Sequence, residues 1–234
     1  MTAVHAYEEI TTCRIIQRVN RFAVRVRDQS GAEHLAHLTN SGRLHDLIFP
    51  GNACLCVPRV SAKTTMRLIA AASGQDMVLI DPAEQSRAFV RTAAMSLIPW
   101  LDGWSLDRSE VTVGDSRIDF GIKSGDDGGF LELKSAAMLL SGFEGSFPDC
   151  PTTRGRKHLG VMRRLAARNR CVILFVVTHP GARLFRPNTQ GDPVFCKDLA
   201  VAADDGLEVR AVKICIDGVG RIRLENPDLP CVIR

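Results

Sequence analysis

A chain of 234 residues, 45% hydrophobic and 24% charged, is long enough to bury one large core or two small ones, as an ordinary soluble globular protein does. No apolar run approaches the roughly 18 residues that span a bilayer, and the opening "MTAVHAYEEITTCRIIQRVN" has acids and arginines where a secretory leader needs an apolar block. Membrane contact is therefore not expected and a cytoplasmic location is; the net charge of +4 is mild for a nucleic-acid binder, so any such role must rest on local clusters.

Up to about residue 80 the pattern is of short strands, "RFAVRVR", "EHLAHL", "NACLCV", "TTMRLIAA" and "DMVLI", separated by the turn segments "DQSGAE", "NSGR", "FPGN", "PRVSAK" and "SGQD". Five short strands in this length predict a small barrel. In "RFAVRVR" the apolar Phe22, Val24 and Val26 alternate with Arg21, Ala23, Arg25 and Arg27, the period-two signature of a half-buried strand with a basic outer face. From Arg14 to Arg27 there are five arginines and no acid, one candidate phosphate-contacting patch.

Beyond Asp81 the period changes. "AEQSRAFVRTAAMSLIPWL" reads as a helix that ends or kinks near Pro99, followed by the strands "SEVTV", "SRIDFGI" and "GFLELK". "RKHLGVMRRLAARN" places Leu159, Met162 and Leu165 or Ala166 on one helical face, and Thr152 to Arg170 holds seven Lys or Arg and no acid, a second basic patch. "CVILFVVTH" is a continuous apolar run, as a strand buried on both faces requires. The helix "KDLAVAADDG" and the strand "EVRAVKICI" follow, then a polar tail. The eight cysteines have no C-x-x-C spacing and several lie in apolar runs, which predicts reduced, buried thiols.

The chemistry-bearing stretch is "SRIDFGIKSGDDGGFLELKS". On a strand Glu132 and Lys134 share a face, with Leu131 and Leu133 on the other, and the same alternation separates Ile118, Phe120 and Ile122 from Arg117 and Asp119. The Gly/Asp-rich turn predicts an antiparallel hairpin with strands about 4.8 Å apart, so that Asp119 lies beside Glu132. Two carboxylates that close raise one another's proton affinity unless a cation compensates, and a hard divalent ion with oxygen ligands does so. An exposed cross-strand charge pair is the alternative reading of the same residues.

"HLTNSGRL" with "PG" soon after, "SRIDF", "LELKS", "GSFPDCPTTRGRKHL" and "GLEVRAVK" occur in an order and spacing that resembles the sugar fermentation stimulation protein A (SfsA) family over nearly the full chain. The resemblance implies a mixed α/β protein. Residues 1–80 would form an OB-like nucleic-acid-binding barrel and residues 81–234 a nuclease-like domain of the PD-(D/E)XK type. It further implies metal-dependent phosphodiester hydrolysis of DNA or RNA, with Asp119, Glu132 and Lys134 catalytic. Asp119 and Glu132, with the Leu133 carbonyl, would hold Mg²⁺ or Mn²⁺. Arg21, Arg25, Arg27, Asn40, Arg154, Arg156, Lys157 and His158 are the expected nucleic-acid contacts, and a homodimer stays open. Two departures stand out: Arg91 occupies the place of a helix acid, leaving Glu110 or another acid to replace it, and Leu38 and Thr39 replace a Cys-Pro pair. A DNA-binding regulatory protein with an inactive nuclease-like domain is the alternative function.

Overall fold

The computed structural model describes residues 2–61 and 63–234; Ala62, in the expected turn "PRVSAK", lies outside the described residues. Strand β1 (Thr2–Ala6) precedes five strands that close a barrel: β2 (Thr11–Asn20), β3 (Ala23–Asp28), β4 (Glu33–His37), β5 (Ala53–Pro58) and β6 (Met66–Ser73). Their order is β4-β3-β2-β5-β6, and a parallel pairing of β4 with β6 completes the ring, as in an OB-like barrel. Strand β7 (Asp76–Leu79) extends it beyond β6.

The sequence pattern predicts five strands here with β7 as the fifth; the structure adds β2, which the pattern does not mark. The adjacent Ile15 and Ile16 break the alternation that marks a strand, and β2 is irregular against β3 on either side of Gln17 and Arg18. Its buried side chains are Cys13 and Ile15, in one cluster with Val24, Val26, Cys54 and Cys56. Phe22 departs from expectation: it is 49% exposed at the β2–β3 turn, with the Arg21 guanidinium over its ring. β1, though within residues 1–80, pairs with the last strand of the second sheet.

Asp81 caps helix α1 (Pro82–Ala94), its carboxylate accepting from the amides of Ala83 and Glu84, and Pro82 at the first helical position needs no donor. Then come β8 (Ser105–Val113), β9 (Ser116–Ser124), β10 (Asp127–Ala136), β11 (Met138–Leu140), β12 (Glu144–Phe147), α2 (Thr153–Ala166), β13 (Arg170–Val177), β14 (Leu184–Pro187), α3 (Pro193–Asp204), β15 (Glu208–Ile216) and β16 (Arg221–Asn226). A seven-stranded mixed sheet runs β1-β16-β15-β13-β10-β9-β8, with β10, β13 and β15 parallel. Its central strand β13 is the continuous apolar run, buried on both faces: Val172, Leu174 and Val176 pack with Phe89 of α1, Ile173 and Phe175 with Leu159 and Met162 of α2.

The polar tail contains β16, and the small sheet β11-β12-β14 was not expected; strands of three or four residues carry too little alternation to register. All eight cysteines are free and six are buried. Among the described residues no helix is long and apolar enough to cross a membrane.

Candidate active site

The hairpin forms as its turn composition requires, with Asp127 opposite Ser124 and Leu131 opposite Phe120. The backbone ladder stops there. One step further the Asp119 carboxylate accepts the Leu133 amide at 2.8 Å, taking the place of a cross-strand carbonyl. The strands diverge at this step, so Ile118 joins the cluster under α2 while Phe120 and Ile122 join the one under α1. Regular alternation would have kept the three together. β10 stays regular: Glu132 faces α2, and Leu131 and Leu133 face α1.

Glu132 is 2% exposed, and three groups hold it. Its Oε1 accepts from Lys134 Nζ at 2.6 Å and bonds to His158 Nδ1, while Oε2 accepts only the Asp119 amide at 3.2 Å. Burial acts to raise its pKa, but the charge of Lys134 and the bonds from His158 and Lys134 prevail and hold it at about 2. Asp119 behaves oppositely. Burial and then the neighbouring Glu132 charge outweigh the Leu133 amide, Lys134 and His158, and its pKa is pushed up to about 6.

Oε2 of Glu132, the Asp119 carboxylate and the Leu133 carbonyl are hard oxygen donors, and the raised proton affinity of Asp119 marks where positive charge is short. The set fits a divalent cation bound through one or two carboxylates with water completing its shell. Among the described residues no cluster of three or more His, Cys, Asp or Glu would enclose a metal on protein ligands alone.

The proton on Asp119 gives a test without catalysis. The folded state binds it more tightly than an unfolded chain, so without metal, stability falls as pH rises from about 4 through about 6. Below about pH 6 a cation must displace the proton. The rise in melting temperature on adding Mn²⁺ should therefore be larger at pH 7.5 than at pH 5, and an equal rise at both would remove Asp119 from the metal site.

These side chains lie in a cavity of about 1020 Å³ between the barrel and the second sheet. Arg21, Asn40 and Arg154 line it together with Asp119, Glu132 and Lys134; Arg25, Arg27, Arg156, Lys157 and His158 do not. His158 is buried on Glu132, so it is no phosphate contact as the pattern "RGRKHL" had led us to expect. Asn40 is also otherwise engaged: its amide donates to the Ile80 carbonyl at 3.0 Å and its oxygen accepts the Gly42 amide at 2.9 Å. Arg27 pairs with Glu33, Arg156 lies 3.3 Å from Asp192, and Lys157 reaches Asp115 at 2.7 Å. Arg91 is exposed on α1, and Glu110 lies 3.5 Å from Arg117 outside the cavity, so Glu110 does not replace the missing acid.

Sequence reading missed the wall formed by the 40–47 loop. Arg18 donates to the carbonyls of Arg43 at 2.5 Å and Gly42 at 2.8 Å, and Asp149 accepts the Leu44 amide at 3.0 Å across the gap between the two parts. A Cβ on Gly42 would lie 2.7 Å from Asp149 Oδ2, so a side chain here would have to displace the Asp149 carboxylate that holds the Leu44 amide. The signal was present in "FPDC", inside the block that carried the resemblance. Thr152 caps α2 by accepting the Gly155 amide at 3.1 Å, and its own amide donates to Asp192, the cap of α3, at 2.8 Å. The first turn of α2 is thus aimed at the cavity with Arg154 and no acid, a placement the helix dipole disfavours until an anion binds.

Residues 83–219 match the family description "Sugar fermentation stimulation protein RE domain", and residues 16–80 match "SfsA N-terminal OB domain". The chain belongs to the sugar fermentation stimulation protein family. A family member from Archaeoglobus fulgidus, a sugar fermentation stimulation protein homolog, is 39% identical over 226 residues, 97% of each chain. A homolog from Pyrococcus furiosus is 33% identical over 211 residues, 90% of this chain and 91% of that one. The solved structure of Pyrococcus furiosus SfsA in complex with Ca²⁺ is 30% identical, covers 99% of this chain and 100% of that one, and superposes with a TM-score of 0.94.

Proposed function

We propose that this protein is a divalent-metal-dependent nuclease that binds DNA or RNA and hydrolyses phosphodiester bonds, acting in the cytoplasm. The observation that carries the reading is the pair Asp119 and Glu132, brought together where the β9–β10 ladder ends at the floor of a cavity, with Lys134 bound to the second carboxylate. Asp119 and Glu132 hold the cation, Mg²⁺ or Mn²⁺ in this reading; the Pyrococcus furiosus relative was solved with Ca²⁺, which takes oxygen ligands of the same kind. When bound, such a cation supplies Lewis-acid polarisation of the phosphoryl oxygen and acidifies water. Lys134, oriented by Glu132, neutralises charge that develops on the phosphate, and the Leu133 amide keeps Asp119 turned into the cavity. His158 positions Glu132 from below. The proposed division of labour falls near residue 80: the barrel holds the strand through Arg21, and the nuclease-like part, of PD-(D/E)XK type, cuts it, with β1 reaching across to β16.

Labelled DNA and RNA incubated with Mg²⁺, Mn²⁺ or chelator test this directly: cleavage that requires metal is expected, and no cleavage of any substrate would sink the reading. The absence of an acid at Arg91 and the position of Glu110 favour a second function, nucleic-acid binding in a regulatory role without cleavage.

Electrostatics separates the basic residues. Arg21→Ala and Arg154→Ala should each flatten the slope of log K against log salt by just under about one unit, whereas Lys157→Ala, whose ammonium is already held by Asp115, should leave it unchanged. Equal effects from all three would return them to a diffuse basic surface.

A further inference from the structure

The walls of the cavity carry more information than its floor. Arg21, Arg43 and Arg154 are exposed cations at its edge, while Met138, Leu139 and Phe147 contribute half-buried apolar surface within it. At the floor Glu132 is 2% exposed and the Lys134 side chain 10%. A paired duplex is a stiff cylinder whose phosphates stand outside and whose bases are stacked within; it can use the arginines but brings nothing to an apolar wall, and its phosphates cannot sink to a buried carboxylate. An unpaired strand turns its bases outward, so phosphate and base can enter one cavity together, the phosphate on cations and the base on apolar side chains.

The wall that restricts entry is pinned on both sides. Arg18 holds the Gly42 and Arg43 carbonyls from the barrel, and Asp149 holds the Leu44 amide from the second sheet. Asn40 ties the same loop to Ile80, and Gly42 lies close against the Asp149 carboxylate. These contacts fix the wall beside the buried carboxylates, and moving it aside would break them.

We propose that this site takes single-stranded nucleic acid and rejects paired duplex, with flanking phosphates on Arg21, Arg43 and Arg154 and a base against Met138, Leu139 and Phe147. The inference rests on the reading of Asp119, Glu132 and Lys134 as the cutting site and names its substrate class. Its test uses the full chain and end-labelled oligomers of about twenty nucleotides, longer than one barrel covers: single-stranded DNA, single-stranded RNA and a blunt DNA duplex. Binding is measured by fluorescence anisotropy in Ca²⁺, and cleavage in Mn²⁺. Single strands should bind at least about tenfold tighter than duplex and be cut in preference to it, with the DNA and RNA arms showing which strand is taken. Met138→Glu and Leu139→Glu, each checked by its melting curve, should weaken single-strand binding by about tenfold and leave duplex binding alone.

Equal affinity for duplex, equal cutting of duplex, no binding of either, or single-strand binding untouched by both substitutions overturns the proposal. The two readings fail differently. Preferential single-strand binding without any cleavage keeps the substrate class and removes the chemistry, whereas equal cutting of both forms keeps the chemistry and removes the substrate class.

Discussion

Replacing Asp119 by asparagine should lower metal-dependent cleavage by more than about a hundredfold and, at pH 7.5 without metal, raise the melting temperature by a few degrees. The two effects have one cause. The asparagine oxygen can still accept the Leu133 amide that the carboxylate now takes at 2.8 Å, so the local backbone keeps its partner. The ionisable group is lost. Burial and the adjacent Glu132 charge make the ionised form of Asp119 unfavourable, which is why its pKa lies near 6 rather than in the ordinary carboxylate range. Above that pH the metal-free wild type carries this cost and the variant does not, a difference on the order of 2–3 kcal/mol. As pH falls from about 6 to about 4 the gap in melting temperature should narrow, and below about pH 4, where the folded and unfolded wild type both bind the proton, it should close. A structural aspartate would give the reverse, since its loss would destabilise at neutral pH. Cleavage unchanged in this variant would remove Asp119 from the chemistry whatever the melting curves show.

Much of this site was legible in the sequence because its parts are local. Glu132 and Lys134 are two apart on one strand, so period two alone puts them on one face, and the Gly/Asp turn between Ser124 and Asp127 sets the hairpin that brings Asp119 across. The central strand was equally plain, since β13 has apolar residues on both faces and can sit only inside a covered sheet. What was lost depends on distance along the chain. The meeting of Arg18 with the 42–43 carbonyls and of Asp149 with Leu44 joins segments whose local patterns say nothing of each other, and these contacts shape the cavity. His158 was misjudged for a related reason: counted within a basic run it resembles a phosphate ligand, but helical phase turns it inward onto Glu132 while Arg154 and Lys157 face out. Ile118 shows that even local phase fails where a ladder breaks, and the break at Asp119 is the feature that frees its carboxylate for the site.

Glu132→Ala should abolish cleavage as well, but unlike the Asp119 variant it should cost about 3–5 kcal/mol of folding stability, because it strands charge that the fold has buried. Lys134 has a side chain only 10% exposed and its ammonium donates to Glu132 Oε1 at 2.6 Å; His158 bonds to the same oxygen from beneath, and the Asp119 amide donates to Oε2. With the carboxylate gone, the Lys134 ammonium loses the partner it is bonded to and keeps only the Asp119 charge in a desolvated site, and the pocket around His158 loses its acceptor. The loss should be partly reversible by removing the stranded charge. In urea unfolding the double variant Glu132→Ala with Lys134→Met should recover a substantial part of the stability of the single variant, because an apolar side chain of similar length needs no partner, while remaining inactive. This signature separates two roles that a simple activity loss would merge. A metal ligand with no structural part would show lost cleavage with little change in stability, and a purely structural ion pair would regain cleavage along with stability in the double variant. If the single substitution costs less than about 1 kcal/mol, the Glu132–Lys134 pair is not desolvated as described; if the two substitutions simply add, Lys134 is not held by Glu132.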